Sequence, residues 1–213
     1  RYRAMPTFGR GTIHRFHTNA STMKKLAACD FEDLLQCVIP VFEGLLPNEH
    51  NIIVLDMLFD LAAWHGYAKL HMHMDDTLDF FDTATIVLGQ SVRKFTKTTC
   101  NHYHTTELPH EHAARGRCEA ALAAKQPQVP TKGKERAGPK FKSLNLSTYK
   151  FHALRDYADM IRCTGTTDNY STQSVSISQI ECFQYQLHFS LIRVNWSINE
   201  LSAGIQECPK TRP

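Results

Sequence analysis

The chain has 213 residues, 42% hydrophobic and 21% charged, a balance ordinary for a globular protein with a real core. No run of about 18 apolar residues occurs, which excludes a helical membrane span. The N-terminal RYRAMPTFGRGTIHRF has no apolar signal core, so a secreted protein is not expected.

The net charge of +3 conceals a strong segregation. Residues 1–25 carry six basic side chains and no acid, residues 26–90 carry eleven acids against Lys69, and residues 115–142 carry eight bases against two acids. A long acidic block repels phosphate, so the basic ends are the expected nucleic-acid face.

Residues 1–20 read as a basic extended arm, broken by Pro6, Gly9 and Gly11. Arg1, Arg3, Arg10 and Arg15 alternate there with Tyr2, Phe8 and Phe16, a composition suited to phosphate contacts plus base stacking. A solvated tail is the bland alternative.

A helical region follows over 21–125. Ala28, Phe31, Leu34, Leu35, Val38, Phe42 and Leu45 recur at three- and four-residue steps, the spacing of one helix face. Asn19 or Ser21 is a candidate cap. Pro40 removes a backbone donor inside this pattern and predicts a kink or split.

Met57, Trp64, Tyr67, Met74, Leu78, Phe81, Thr85, Leu88, Val92 and Phe95 form a second stripe, with Asp60 and His71 in two of its slots. It predicts either one long helix or, with a break near Gly66, a helical hairpin. Self-association or a partner helix along this 57–95 stripe is one expectation. Content of Ala, Glu and Arg predicts a short helix over about 110–125.

QPQVPTKGKERAGPKFK (126–142) reads as a flexible basic linker, and adds Lys132, Lys134, Arg136, Lys140 and Lys142 to the nucleic-acid candidates. Beyond it, Asn145–Phe151 alternates like a short strand or extended entry, and a short helix is expected from about His152 to just before Gly165. The fold class is therefore mainly α: long helices in a hairpin or small bundle, a basic linker and a short α/β-like C-terminal piece.

Motifs for chemistry are sparse. Seven cysteines, odd in number and without a CxxC, point to reduced thiols in the nucleus or cytoplasm. Twelve histidines include pairs at 71/73, 102/104 and 110/112. In a helix, His71 and His73 diverge too far to chelate, and a solvated His-rich loop is the simpler account of the other pairs. Asp75, Asp79 and Asp82 share a helix face off the apolar stripe and read as solvated rather than as a two-metal site. There is no GxSxG elbow and no phosphate-binding GxxxxGK[ST] loop. No cofactor is expected.

One stretch carries a resemblance. YKFHALRDYADMI (149–161) followed by TGTTDNYSTQ (164–173) resembles the end motif of fungal, basidiomycete Plavaka-like transposases of the Kyakuja–Dileera–Zisupton group. The matching residues are Lys150, His152, Leu154, Tyr157, Ile161, Gly165, Asp168, Tyr170, Ser171 and Thr172. GTIHRFH, DFEDLLQCVIPVFEGLLP and AAWHGYAKLHMHMDDTL are similar to the helical region of the same proteins, so the likeness covers about residues 9–173.

The resemblance implies an RNase-H-like nuclease interrupted by a helical insertion, working through two Asp, one Glu and two divalent metals. This chain holds the helical part and the end motif (143–173) without a complete carboxylate set. It then departs into Ser174-Val-Ser-Ile where an acid is expected.

The implied protein is a truncated transposase derivative without autonomous catalysis. It takes magnesium only if it completes a site in trans, and its residual capacity is nucleic-acid contact. A helical protein-interaction module unrelated to transposition is the alternative. Val175-Ser176 can be encoded by GTAAGT, the form of a 5′ splice site, and Asn195-Trp-Ser-Ile198 is a one-base shift of Glu-Leu-Glu-His codons. Residues 174–213 are accordingly read as a poorly ordered tail, intron-derived and then frame-shifted.

Overall fold

The computed structural model describes residues 1–9, 12–18, 20, 28–125, 138–167 and 194, and in them the chain is mainly helical. α1 spans Ala28–Phe42 and buries Phe31, Leu34, Leu35, Val38 and Phe42, as its three-and-four spacing requires. Pro40 does not split it. It lies exposed in the last turn, two residues before the helix ends, and costs the one backbone bond its nitrogen would donate to the Gln36 carbonyl. Gly44 then takes a left-handed φ of 61° and turns the chain into Pro47.

α2 (Asn48–Ala68) and α3 (Asp75–Phe95) form the hairpin. The break falls over residues 69–74, just past Gly66. Their cross-contacts run antiparallel: His50 meets Thr99, Asp60 meets Ser91, Trp64 meets Thr85, and Tyr67 meets Phe81. Most of the predicted stripe is buried in one core, with Met57, Trp64, Phe81, Val92 and Phe95 fully enclosed. That burial drives the hairpin, since each such side chain contributes about 1.5–3 kcal/mol when removed from water. The stripe is thus largely consumed within the chain, although Met74 is exposed.

Asp75 and Asp76 sit in the first turn of α3, where the helix dipole favours acids. Thr77 Oγ1 closes that end on Met74, accepting its N–H and donating to its carbonyl, both at 2.8 Å. The helix continues as a π-helical turn, Thr96–Cys100, then a short α4, Asn101–Tyr103, and stops at His104 with a left-handed φ of 43°.

Residues 105–108 meet 138–142 in a small clasp. Glu107 N donates to the Lys140 carbonyl at 2.9 Å, and Lys142 N donates to the Thr105 carbonyl at 2.8 Å. The C-terminal end of the predicted linker is therefore pinned. α5 (Pro109–Lys125) leaves from this clasp and is exposed along most of its length. Its Ala-, Glu- and Arg-rich sequence supplies helix propensity where packing does not.

The expected strand over 145–151 is not formed. Thr148 is extended, and the chain then forms α6 (Tyr149–His152), one 3-10 turn over 153–155 and α7 (Asp156–Thr164). Ala153, Leu154, Tyr157, Ala158 and Ile161 are buried at helical spacing, and no neighbouring strand among the described residues offers the alternating positions a ladder. Tyr157 packs edge-on to Trp64 at 5.2 Å. Strand-like pairing among the described residues is limited to two isolated bridges, Phe8 with Ile13 and Thr106 with Phe141. Val194, the described residue of the tail, is fully buried in the core.

Candidate functional site

The N-terminal segment is anchored rather than loose. Tyr2 and Phe16 are buried, meet edge-on at 5.2 Å, and join the main core beside α1. The Arg1 guanidinium donates to the carbonyls of Val41 at 3.0 Å and Gly44 at 3.3 Å, closing the C-terminal end of α1. His14 makes a 2.7 Å bond to Asp33, which is buried on α1.

Between these anchors Phe8 and Ile13 pair in an isolated antiparallel bridge, and Gly9 beside it takes a left-handed φ of 63°. Phe8 is 69% exposed, and Arg3 and Arg15 are exposed on either side in sequence. Of the four predicted arginines, Arg1 is committed to α1, Arg3 and Arg15 are open to solvent, and Arg10 lies outside the described residues.

The second basic set divides in the same way. Lys132, Lys134 and Arg136 lie outside the described residues. The Lys140 side chain is exposed, while Lys142 Nζ is 3.7 Å from Glu107 Oε1. Glu107 also accepts from Arg115 at 3.0 Å and from the Lys140 N–H at 3.3 Å. The Arg115 hydrogen bond holds the Glu107 carboxyl below the ordinary carboxylate range.

The end motif is placed in part. Lys150, His152 and Leu154 lie on α6 and the 3-10 turn, with Leu154 buried, Lys150 half-buried and His152 exposed. Gly165 ends α7 at φ 87°, its N–H bonded to the Ile161 carbonyl. Asp168, Tyr170, Ser171 and Thr172 lie outside the described residues.

His152 and Leu154 line a groove of about 550 Å³ between α3 and the α6–α7 segment. Arg93, Gln90, Phe151 and Arg155 share it, and none of these four was singled out from the sequence. Helical spacing from Asp82 through Gly89 to Arg93 marks one face of α3, but nothing local says what faces it.

The acidic run does not assemble a metal site. Asp82 and Asp79 pair with Arg162 on α7, at 2.6 and 3.5 Å, and the guanidinium also holds Asp159 at 3.1 Å. Among the described residues no group of three or more His, Cys, Asp or Glu is placed to hold a metal ion. His71 and His73 lie in the α2–α3 loop rather than on a helix, and His73 rests on Phe81 at 6.3 Å. His102 stacks on His50 at 4.7 Å, and burial followed by the neighbouring His102 lowers the His50 pKa.

Among the described residues no helix is long and apolar enough to cross a membrane. No family model, curated protein or solved structure matches the chain.

Proposed function

We propose that this chain is a transposase-derived helical domain that contacts nucleic acid through its N-terminal segment and performs no catalysis of its own. The observation that carries the binding reading is Phe8, 69% exposed on a Gly9 turn whose flanks are held by the buried Tyr2 and Phe16. An exposed ring on an anchored turn, with Arg3 and Arg15 open beside it in sequence, supplies a stacking platform and phosphate contacts without a large ordering cost. The derivation rests on the end motif from Lys150 to Thr172.

Fluorescence anisotropy with a labelled single-stranded oligonucleotide tests the reading. Affinity falls as salt rises, and replacing Arg3, Arg10 and Arg15 by Gln flattens that salt slope. Phe8→Ala weakens binding by about 1–3 kcal/mol if one base stacks there. A flat titration at low salt sinks the binding reading. Magnesium-dependent nicking by the purified chain sinks the non-catalytic one.

A second reading, a helical interaction module, is favoured by Ile52 and Phe59, which are 59% and 64% exposed two turns apart on the outer side of α2. Concentration-dependent association that is abolished by Ile52→Lys with Phe59→Lys would favour it.

A further inference from the structure

We infer that the groove between α3 and the α6–α7 segment is a binding site for the phosphate group of a nucleotide. Its volume of about 550 Å³ lies within the roughly 300–1,000 Å³ range of small-ligand sites. Its lining carries both signs of charge.

Its Asp82 and Asp159 are both already engaged by Arg162, at 2.6 and 3.1 Å. Arg93, Arg155 and His152 also line it, and none of the three is paired with a carboxylate among the described residues. Arg93 and Arg155 thus bring two permanently charged guanidinium groups to the lining without a carboxylate partner among the described residues.

Arg93 is held in place. Its guanidinium carbon lies 6.0 Å from the centre of the Phe151 ring, within cation–π range. The side chain folds back over α3 at Gly89, where an added Cβ would lie 3.1 Å from Nη1. The missing side chain at 89 leaves room for that path, so the donor fork is preorganised at the groove wall.

The ligand class follows from these donors. A carboxylate engages one guanidinium in a two-point pair, whereas a phosphate has enough oxygens to engage Arg93 and Arg155 together. Gln90 adds an amide, and the Asp82 and Asp159 oxygens suit donor groups such as sugar hydroxyls or base amines. A nucleotide carries both kinds of group, free or at the end of a nucleic-acid strand.

Calorimetric titration of the full chain with adenosine 5′-monophosphate, adenosine and a 5′-phosphorylated oligothymidine tests this. The expected result is saturable one-to-one binding of the monophosphate or the oligonucleotide, with adenosine at least tenfold weaker. Arg93→Gln and Arg155→Gln each lose at least tenfold in affinity, with unchanged circular dichroism and melting. Gly89→Ala weakens binding by displacing the fork, and Arg93→Lys does not restore it.

Binding of the monophosphate identifies free nucleotide as the source. Binding of the oligonucleotide alone, lost in Arg93→Gln, identifies a strand end. The inference is overturned if adenosine binds as tightly as its phosphate, if Arg93→Gln leaves affinity unchanged, or if no ligand binds. Oligonucleotide binding that responds only to Arg3, Arg10 and Arg15 also overturns it, while leaving the N-terminal interface standing.

Discussion

Trp64 Nε1 donates a 2.8 Å hydrogen bond to Thr85 Oγ1 across the α2–α3 hairpin, and Thr85 donates in turn to the Phe81 carbonyl at 2.9 Å. The indole is fully buried, so its one donor depends on a partner from the facing helix. This contact fixes the register of the hairpin as well as filling its centre.

Thr85→Val keeps the shape and orphans the indole N–H, which destabilises the fold by about 1–3 kcal/mol. Trp64→Phe combined with Thr85→Val costs less than the sum of the two single changes, because neither partner is left wanting. Urea unfolding of the four proteins measures the coupling, and strict additivity would show that the bond does not hold the register.

The clasp at Glu107 makes a second case. Glu107→Gln removes the charge that gathers Arg115, Lys142 and the Lys140 N–H, and exchange at the Glu107 and Lys142 amides speeds up. Hydrogen exchange read residue by residue checks this. The Glu107 carboxyl is held below its ordinary value, chiefly by the Arg115 hydrogen bond. Its contribution is therefore complete above the ordinary carboxylate range and is lost as pH falls through the lowered folded value. Unchanged exchange in Glu107→Gln would assign the clasp to its backbone bonds alone.

Cys100 sits in the π-helical turn, and burial pushes its thiol up to about 12 from an ordinary value of 9.0. A raised folded pKa gives stability that is full below the unfolded value and is lost as pH climbs towards the folded one. Between about pH 9 and 12 this group alone lowers stability by at most about 1.4 kcal/mol per pH unit. Cys100→Ala gives a shallower alkaline loss in urea unfolding at pH 8 and 10.5, whatever its effect at neutral pH.

Two glycines give opposite outcomes. Gly165 ends α7 at φ 87° and ψ −159°, a conformation reserved almost wholly for glycine, so Gly165→Ala costs about 1–3 kcal/mol. Gly66 is helical and exposed, and an added Cβ meets nothing within 4 Å. Gly66→Ala therefore stabilises by about 0.5–1 kcal/mol. Thermal melts of the two variants should move in opposite directions.

Much of the helical framework was legible because periodicity is a local signal. The spacing from Phe31 to Phe42 marks the buried face of α1, and that from Leu78 to Phe95 marks α3. Pro40 does not split α1, which runs two residues past it; the backbone bond it forgoes is the one to the Gln36 carbonyl in the preceding turn. Alternation over Asn145–Phe151 misled because a strand needs a partner, whereas the helical positions of Leu154, Tyr157 and Ile161 had the core to pack against.

The basic N-terminal residues were visible as a composition, but their division of labour was not. Arg1 differs from Arg3 only in lying beside the open carbonyls at the end of α1, more than forty positions away along the chain. Phe8 differs from Tyr2 and Phe16 in lying exposed at the bridge with Ile13 rather than in the core. The groove was invisible for the same reason: Arg93 and Arg155 line one groove because the α6–α7 segment packs against α3, as the Arg162–Asp82 pair records.

By itself the sequence determined the helical character, which depends on neighbours three, four or seven residues apart, and the segregation of charge, while it left one long helix and a hairpin as alternatives. Only the tertiary structure decided which basic and aromatic side chains are consumed by the core and which remain available. That depends on contacts between residues distant in the chain, on which local spacing is silent.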